Sequence, residues 1–149
     1  MTLIAAPGEV GDCGAPPTIL LVEDESFVRQ AAAAALRLSG YTVLTAADGA
    51  QALEACRNYP RPIDLLLSDL VMPHLNGREL AETFQAMHPR GRVLLMSGYA
   101  EELVPYISFP HCTPFLRKPF SVDTLRKAVG ELCDADALSA AWAHRPGLH

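Results

Sequence analysis

Asp69 stands at the end of the apolar run Leu65-Leu66-Leu67-Ser68, ahead of Leu70-Val71-Met72-Pro73 and then Asn76-Gly77. A carboxylate at the end of a buried strand is costly unless it is solvated, paired or used. Three further runs end in polar residues of complementary type. Glu23-Asp24-Glu25 follows Thr18-Ile19-Leu20-Leu21-Val22, Ser97 follows Val93-Leu94-Leu95-Met96, and Lys118 follows Phe115-Leu116. Together they offer a carboxylate nucleophile, carboxylates for a hard cation, a hydroxyl and an ammonium. That set suits phosphoryl transfer: an aspartate attacks, and cationic and hydroxyl groups spread over the oxygens of the incoming group. Each member also has a plainer reading. Asp69 could simply begin a loop, the acidic triplet could be a charged helix start favoured by the macrodipole, Ser97 a turn residue before Gly98, and Lys118 a solvated surface lysine. What favours the chemical reading is that one part of the set sits at the end of each of four apolar runs.

The elements that position these residues follow from periodicity. The first run is a strand, and a helix from about Ser26 to Ser39 comes next, with Val28, Ala31, Ala32, Ala35 and Leu38 on one stripe and Gly40 as its terminal glycine. A second strand is expected over Tyr41 to Ala46. Asp48 with Gln51 has a capping-box pattern, opening a helix that runs to about Asn58 before Pro60. The third strand starts near Ile63 and carries Asp69. Asn76 with Glu79 opens a helix whose inner face is Leu80, Ala81, Phe84 and Met87. The fourth strand leads to Ser97, and a short helix from Ala100 to about Val104 is limited by Pro105 and Pro110. The fifth strand, at Phe115-Leu116, leads to Lys118. Ser121 caps a last helix with Leu125, Ala128, Val129 and Leu132 on one face.

Strand followed by helix, five times over, with strands apolar throughout rather than alternating, predicts a doubly wound α/β fold: a five-stranded parallel sheet with helices on both faces. The expected strand order is 2-1-3-4-5, flavodoxin-like, with its switch point between strands 1 and 3. That order gathers Glu23, Asp24 and Asp69 into one crevice. Two unit charges about 4 Å apart repel by ~1 kcal/mol in water and ~4 kcal/mol at an effective dielectric near 20. A divalent cation removes that cost, and an all-oxygen donor set points to magnesium, Mg2+.

Composition limits the alternatives. The chain has 149 residues, 50% hydrophobic and 19% charged, with net charge -5. This fits a single globular domain, expected over residues 17–134, with a flexible leader over 1–16 and a tail over 135–149. No Lys/Arg cluster is present, so neither nucleic acid nor an anionic membrane is an expected partner. No apolar run approaches the ~20 residues needed to span a bilayer. Cys13, Cys56, Cys112 and Cys133 lie far apart without metal-type spacing; they read as reduced thiols of a cytoplasmic protein.

The segments Leu21-Val22-Glu23-Asp24-Glu25, Ser68-Asp69-Leu70-Val71-Met72-Pro73, Asn76-Gly77, Met96-Ser97-Gly98-Tyr99 and Lys118-Pro119-Phe120 resemble a receiver domain of two-component response regulators, from about Pro17 to Asp134. Their wording is most similar to receivers of hybrid sensor kinases or their stand-alone relatives. The resemblance implies that Asp69 accepts a phosphoryl group from a phosphohistidine on a partner, a sensor histidine kinase or a histidine phosphotransfer protein. It implies magnesium held by Asp24, Asp69 and the main-chain carbonyl of Val71, with Glu23 helping through water, and Ser97 and Lys118 on the phosphoryl oxygens. The family's Lys-Pro bond is often cis. Its switch aromatic corresponds to Phe115, which reads equally well as an ordinary core residue. Tyr99 falls at the rim of the site. The stretch from Glu101 to Pro114 departs from the pattern through Pro105, Pro110 and Pro114.

A phosphoacceptor in a phosphorelay, rather than an enzyme, is therefore the leading reading, and no output domain is expected after the last helix. A receiver-like interaction module without phosphorylation is the alternative. A hydrolase of the haloacid dehalogenase type would want a carboxylate two residues after the nucleophile, where Val71 stands. A nucleotide site would want a Gly-rich phosphate loop, which the sequence lacks.

Overall fold

Apolar runs without alternation are strands covered on both faces, and the computed structural model shows this. It describes residues 15–71, 77–98 and 114–133. In chain order the elements are β1 (Thr18–Val22), α1 (Ser26–Leu38), β2 (Thr42–Ala46), α2 (Gly49–Asn58), β3 (Leu65–Asp69), α3 (Gly77–Met87), β4 (Arg92–Ser97), β5 (Phe115–Arg117) and α4 (Val122–Cys133). The sheet has the order β2-β1-β3-β4-β5 and all its described pairings are parallel.

Successive strand residues point to opposite faces, so β1 and β3 feed two cores. Ile19, Leu21, Leu65, Leu67, Leu94 and Met96 pack with α1 and α4. Leu20, Val22, Leu66, Leu95 and Leu70 pack with Leu80 and Phe84 of α3 and Ala52 of α2. Because both faces are covered, every residue of β1 and of β3 is buried.

Local chemistry sets the ends of the helices. The Gln51 N–H donates to Asp48 Oδ1 at 2.8 Å and starts α2; the Gln51 side chain reaches back to the Ala47 N–H at 2.9 Å. Such a cap contributes about 1 kcal/mol. The Thr124 N–H donates to Ser121 Oγ at 3.0 Å and starts α4. At the end of α1, Gly40 has φ of 102°. The Tyr41 N–H then reaches the Leu36 carbonyl at 3.2 Å and the Gly40 N–H the Arg37 carbonyl at 3.0 Å, the paired bonds of a Schellman turn.

One part of the expected α1 stripe is corrected. Leu38 is 89% exposed and Ala31 is exposed, while Leu36 and Ala33 are buried. Within Ala31 to Ala35 every position is apolar, so periodicity has no contrast there and the phase is set by packing against the sheet. Residues 1–14 of the expected leader, the Asn76 cap, the short helix after Ala100, Tyr99 and the tail from residue 134 lie outside the described residues. Among the described residues no helix is long and apolar enough to cross a membrane.

The register aligns the carboxyl ends of the strands. Val22 pairs with Ala46 and with Ser68, Asp69 with Met96, and Ser97 with Arg117. Residues that follow these positions therefore emerge on one edge of the sheet.

Candidate functional site

Glu23 is the first residue beyond β1, and its N–H continues the ladder to the Ala46 carbonyl at 3.1 Å. Its side chain turns into the crevice and is 1% exposed. Glu23 Oε1 accepts from Lys118 Nζ at 2.7 Å, and Oε2 accepts from the Glu25 N–H at 3.1 Å. Asp69, 8% exposed, accepts from the same Lys118 Nζ at 3.0 Å through Oδ2 and from the Val71 N–H at 3.3 Å through Oδ1. Lys118 is thus clamped between two carboxylates from two different strand ends. Its backbone is fastened too: the Lys118 N–H donates to the Ser97 carbonyl at 2.8 Å, and the Lys118-Pro119 peptide is cis.

Asp24 is exposed. One carboxylate oxygen from each of Glu23, Asp24 and Asp69 lies within 4.8 Å of the others. Ser97 is buried and lines the same cavity of about 830 Å³, as do Val71 and Gly98. Phe27 and Val122, both exposed, form an apolar rim on one side. Phe115 lies on β5, 37% exposed.

The electrostatics follow from burial and pairing. Desolvation holds the Glu23 carboxyl above the ordinary carboxylate range; the Lys118 and Glu25 hydrogen bonds pull it down without cancelling that effect, and the charge of Asp69 adds to the rise. For Lys118, burial works against the ammonium, but the hydrogen bonds and charges of Glu23 and Asp69 outweigh it and raise the group above the usual lysine value.

Residues 19–130 match the sequence profile of the response regulator receiver domain family. The chain belongs to that family. Sensor kinase CckA of Brucella abortus (strain 2308) is 37% identical over 129 residues, a match that spans 83% of this chain and 13% of that protein. The response regulator receiver protein CpdR of the same organism is 36% identical over 115 residues, 76% of this chain and 92% of CpdR. Among solved structures, the receiver domain of the hybrid histidine kinase CckA superposes with a TM-score of 0.67 at 36% identity, covering 78% of this chain and 98% of that domain. The relatives thus include a receiver inside a much longer kinase and one that makes up most of its protein.

In this receiver domain, Glu23, Asp24, Asp69, Ser97 and Lys118 converge on one cavity, as the motifs predict. Val71 contributes its N–H to Asp69 and lines the cavity wall. Glu23 is buried and directly paired with Lys118, a contact the motifs did not indicate. Phe115 is half-exposed at the sheet edge rather than in the core. Tyr99 lies outside the described residues.

Three contributors were missed by sequence reasoning. The Ser68 hydroxyl, fully buried, donates to the Asp69 carbonyl at 2.9 Å; a polar residue within an apolar strand was its signal. A Cβ on Gly77 would lie 2.6 Å from that same carbonyl oxygen, so only glycine allows α3 to start this close to Asp69. Arg29 Nη1 donates to the Glu23 carbonyl at 2.8 Å; a cation in the first turns of a helix was the hint.

Proposed function

We propose that this receiver domain is a phosphoacceptor in a two-component phosphorelay, with Asp69 taking a phosphoryl group from a phosphohistidine on a sensor histidine kinase or a histidine phosphotransfer protein. The observation that carries this reading is Asp69 itself: a nearly buried carboxylate bonded to Lys118 through Oδ2, with a carboxylate oxygen within 4.8 Å of oxygens from Glu23 and Asp24.

The donor set fits magnesium. It is all oxygen, one carboxylate is exposed, and the site opens to a cavity with room for the waters that magnesium retains. Asp24 and Asp69, with the Val71 main chain and Glu23 beside them, would hold the ion. When bound, it offsets charge on the carboxylates and on the incoming phosphoryl oxygens.

The chain's own groups account for the rest. An Asp69 carboxylate oxygen attacks phosphorus in line, the phosphorus–nitrogen bond to the histidine breaks, and the electron pair returns to the imidazole. Lys118, held over the site by Glu23, stays charged and follows the new phosphoryl oxygens. Ser97, which lines the cavity at the end of β4, donates its hydroxyl to another. Asp69 is consumed once per transfer, so the domain acts as an acceptor rather than a turnover enzyme. Incubating the protein with a phosphorylated histidine kinase and magnesium tests the reading: label should pass to this chain and map to Asp69. A protein that binds such a kinase yet never gains label would instead be the interaction module.

A further inference from the structure

We infer that Arg29 is a positioning residue for the acidic edge of the site, a role that rests on the phosphoacceptor reading above. The turn from β1 into α1 carries Asp24, and it lacks the usual fastening. Glu25 occupies the N-cap of α1 with no side-chain cap hydrogen bond, and the first turn holds no acidic residue. Helix starts normally recruit such groups to satisfy their free N–H donors. Two side chains hold the turn instead. Glu23 Oε2 accepts the Glu25 N–H and Arg29 Nη1 donates to the Glu23 carbonyl at 2.8 Å, while the Arg29 N–H makes the ordinary first helical bond to the Glu25 carbonyl at 2.9 Å.

The position of Arg29 is itself informative. A cation within the first turns of a helix opposes the macrodipole, and Glu25, one turn before Arg29, offsets that at the spacing of a favourable pair. The guanidinium nevertheless bonds the Glu23 main chain. Arg29 is half-buried, and its guanidinium closes back over the turn onto the main chain between Glu23 and Asp24. The Glu23 N–H is already held by Ala46. With both peptide groups of Glu23 fixed, its side chain is aimed at Lys118 and Asp24 is presented to the cavity. One of the other fastenings, Glu23 Oε2, is a carboxylate oxygen that a cation in the site would compete for. The Arg29 bond to the main chain stays available in either state.

Charge and positioning predict opposite signs. Removing a cation near a cation site should tighten magnesium binding on electrostatic grounds, whereas loosening the turn should weaken it. Arg29→Met keeps the packing of the stem and removes the donors; Arg29→Lys keeps a donor and the charge. The test is magnesium titration of the full chain followed by calorimetry, with hydrogen exchange of the Asp24 and Glu25 amides measured without magnesium. We expect Arg29→Met to weaken magnesium about tenfold, the lower end for groups that support metal ligands from behind, and to speed exchange at these amides. Arg29→Lys should recover most of both. Affinity that is unchanged or tighter in Arg29→Met overturns the role, as does equal loss in the Met and Lys variants. If the unaltered chain and Asp24→Ala both fail to bind magnesium, the metal reading fails and the positioning role with it. Accelerated exchange in Arg29→Met alone would then show a purely structural brace.

Discussion

Lys118 Nζ lies 2.7 Å from Glu23 Oε1, joining two residues 95 positions apart. The same nitrogen is 3.0 Å from Asp69 Oδ2, so the ends of β1, β3 and β5 are tied by one side chain. Glu23 is almost fully buried and Lys118 is 22% exposed at its side chain. Removing Lys118 leaves Glu23 charged in a poor solvent. For Lys118→Met we predict a stability loss of about 2 kcal/mol, below the ~3–5 kcal/mol of fully buried pairs because water reaches Lys118. Adding Glu23→Gln should restore most of it. Urea unfolding of the two single variants and the double variant checks this; a double variant whose change equals the sum of the two single changes would mean that the pair is not coupled.

The raised Glu23 carboxyl gives a pH dependence with a definite sign. Its folded state holds a proton more tightly than the unfolded chain does. Its contribution therefore favours the fold in acid and is lost as pH rises through the folded value. Glu23→Gln imitates the protonated form at every pH. Relative to the unaltered chain, this variant should gain stability as pH rises from the ordinary carboxylate range through the raised folded value of Glu23, read by unfolding at several pH values. Lys118 behaves in the same sense at the alkaline end: its stabilising contribution is complete below the usual lysine range and fades as pH climbs past its raised folded value. A flat difference between Glu23→Gln and the unaltered protein would contradict the desolvation of Glu23.

Gly77 predicts a reversal of an ordinary rule. Glycine to alanine in a helix usually helps by ~0.5–1 kcal/mol. Here the added Cβ would sit 2.6 Å from the Asp69 carbonyl oxygen and 2.9 Å from Leu70 Cα. Both are backbone atoms, so α3 must shift. Gly77→Ala should cost about 1–3 kcal/mol and slow labelling of Asp69. Thermal unfolding and labelling rate together decide it, and a more stable variant would refute the close approach.

The consequence of phosphorylation is expected on the side of Ser97 and Phe115. A phosphate mimic, beryllofluoride with magnesium, should perturb amide signals from Ser97 to Phe120 far more than those of α2. Ser97→Ala should shrink that response while the adduct at Asp69 still forms. The argument is that a ligand shifts a conformational balance only through contacts that differ between its states, here those of Ser97 and Lys118. Phe115 is half-exposed on a short edge strand, so an inward turn would bury it. Equal perturbation of both regions would make Phe115 only an edge aromatic.

Much of this was legible before any coordinates. The uniform apolar runs implied strands covered on both faces, and turn chemistry at Gly40, Asp48 and Ser121 marked helix ends that the structure places within a residue or two. The polar residues at the ends of four strands line one cavity. What sequence could not supply was phase and pairing. In α1 the alanine run hid which face is buried, so Leu38 was assigned inward where Leu36 belongs. That Glu23 would meet Lys118 directly depends on the depth at which each side chain leaves its strand, which no local pattern encodes. The Arg29 bond to the Glu23 main chain is invisible for the same reason.

The central claim is that Asp69 is the acceptor, and labelling by acetyl phosphate with magnesium tests it most directly. The unaltered chain should gain one phosphoryl group that is labile in mild base and maps to Asp69, and Asp69→Asn, correctly folded by circular dichroism, should gain none. Stoichiometric label on Asp69→Asn, or label on the unaltered chain at Glu23 or Asp24, would contradict the account.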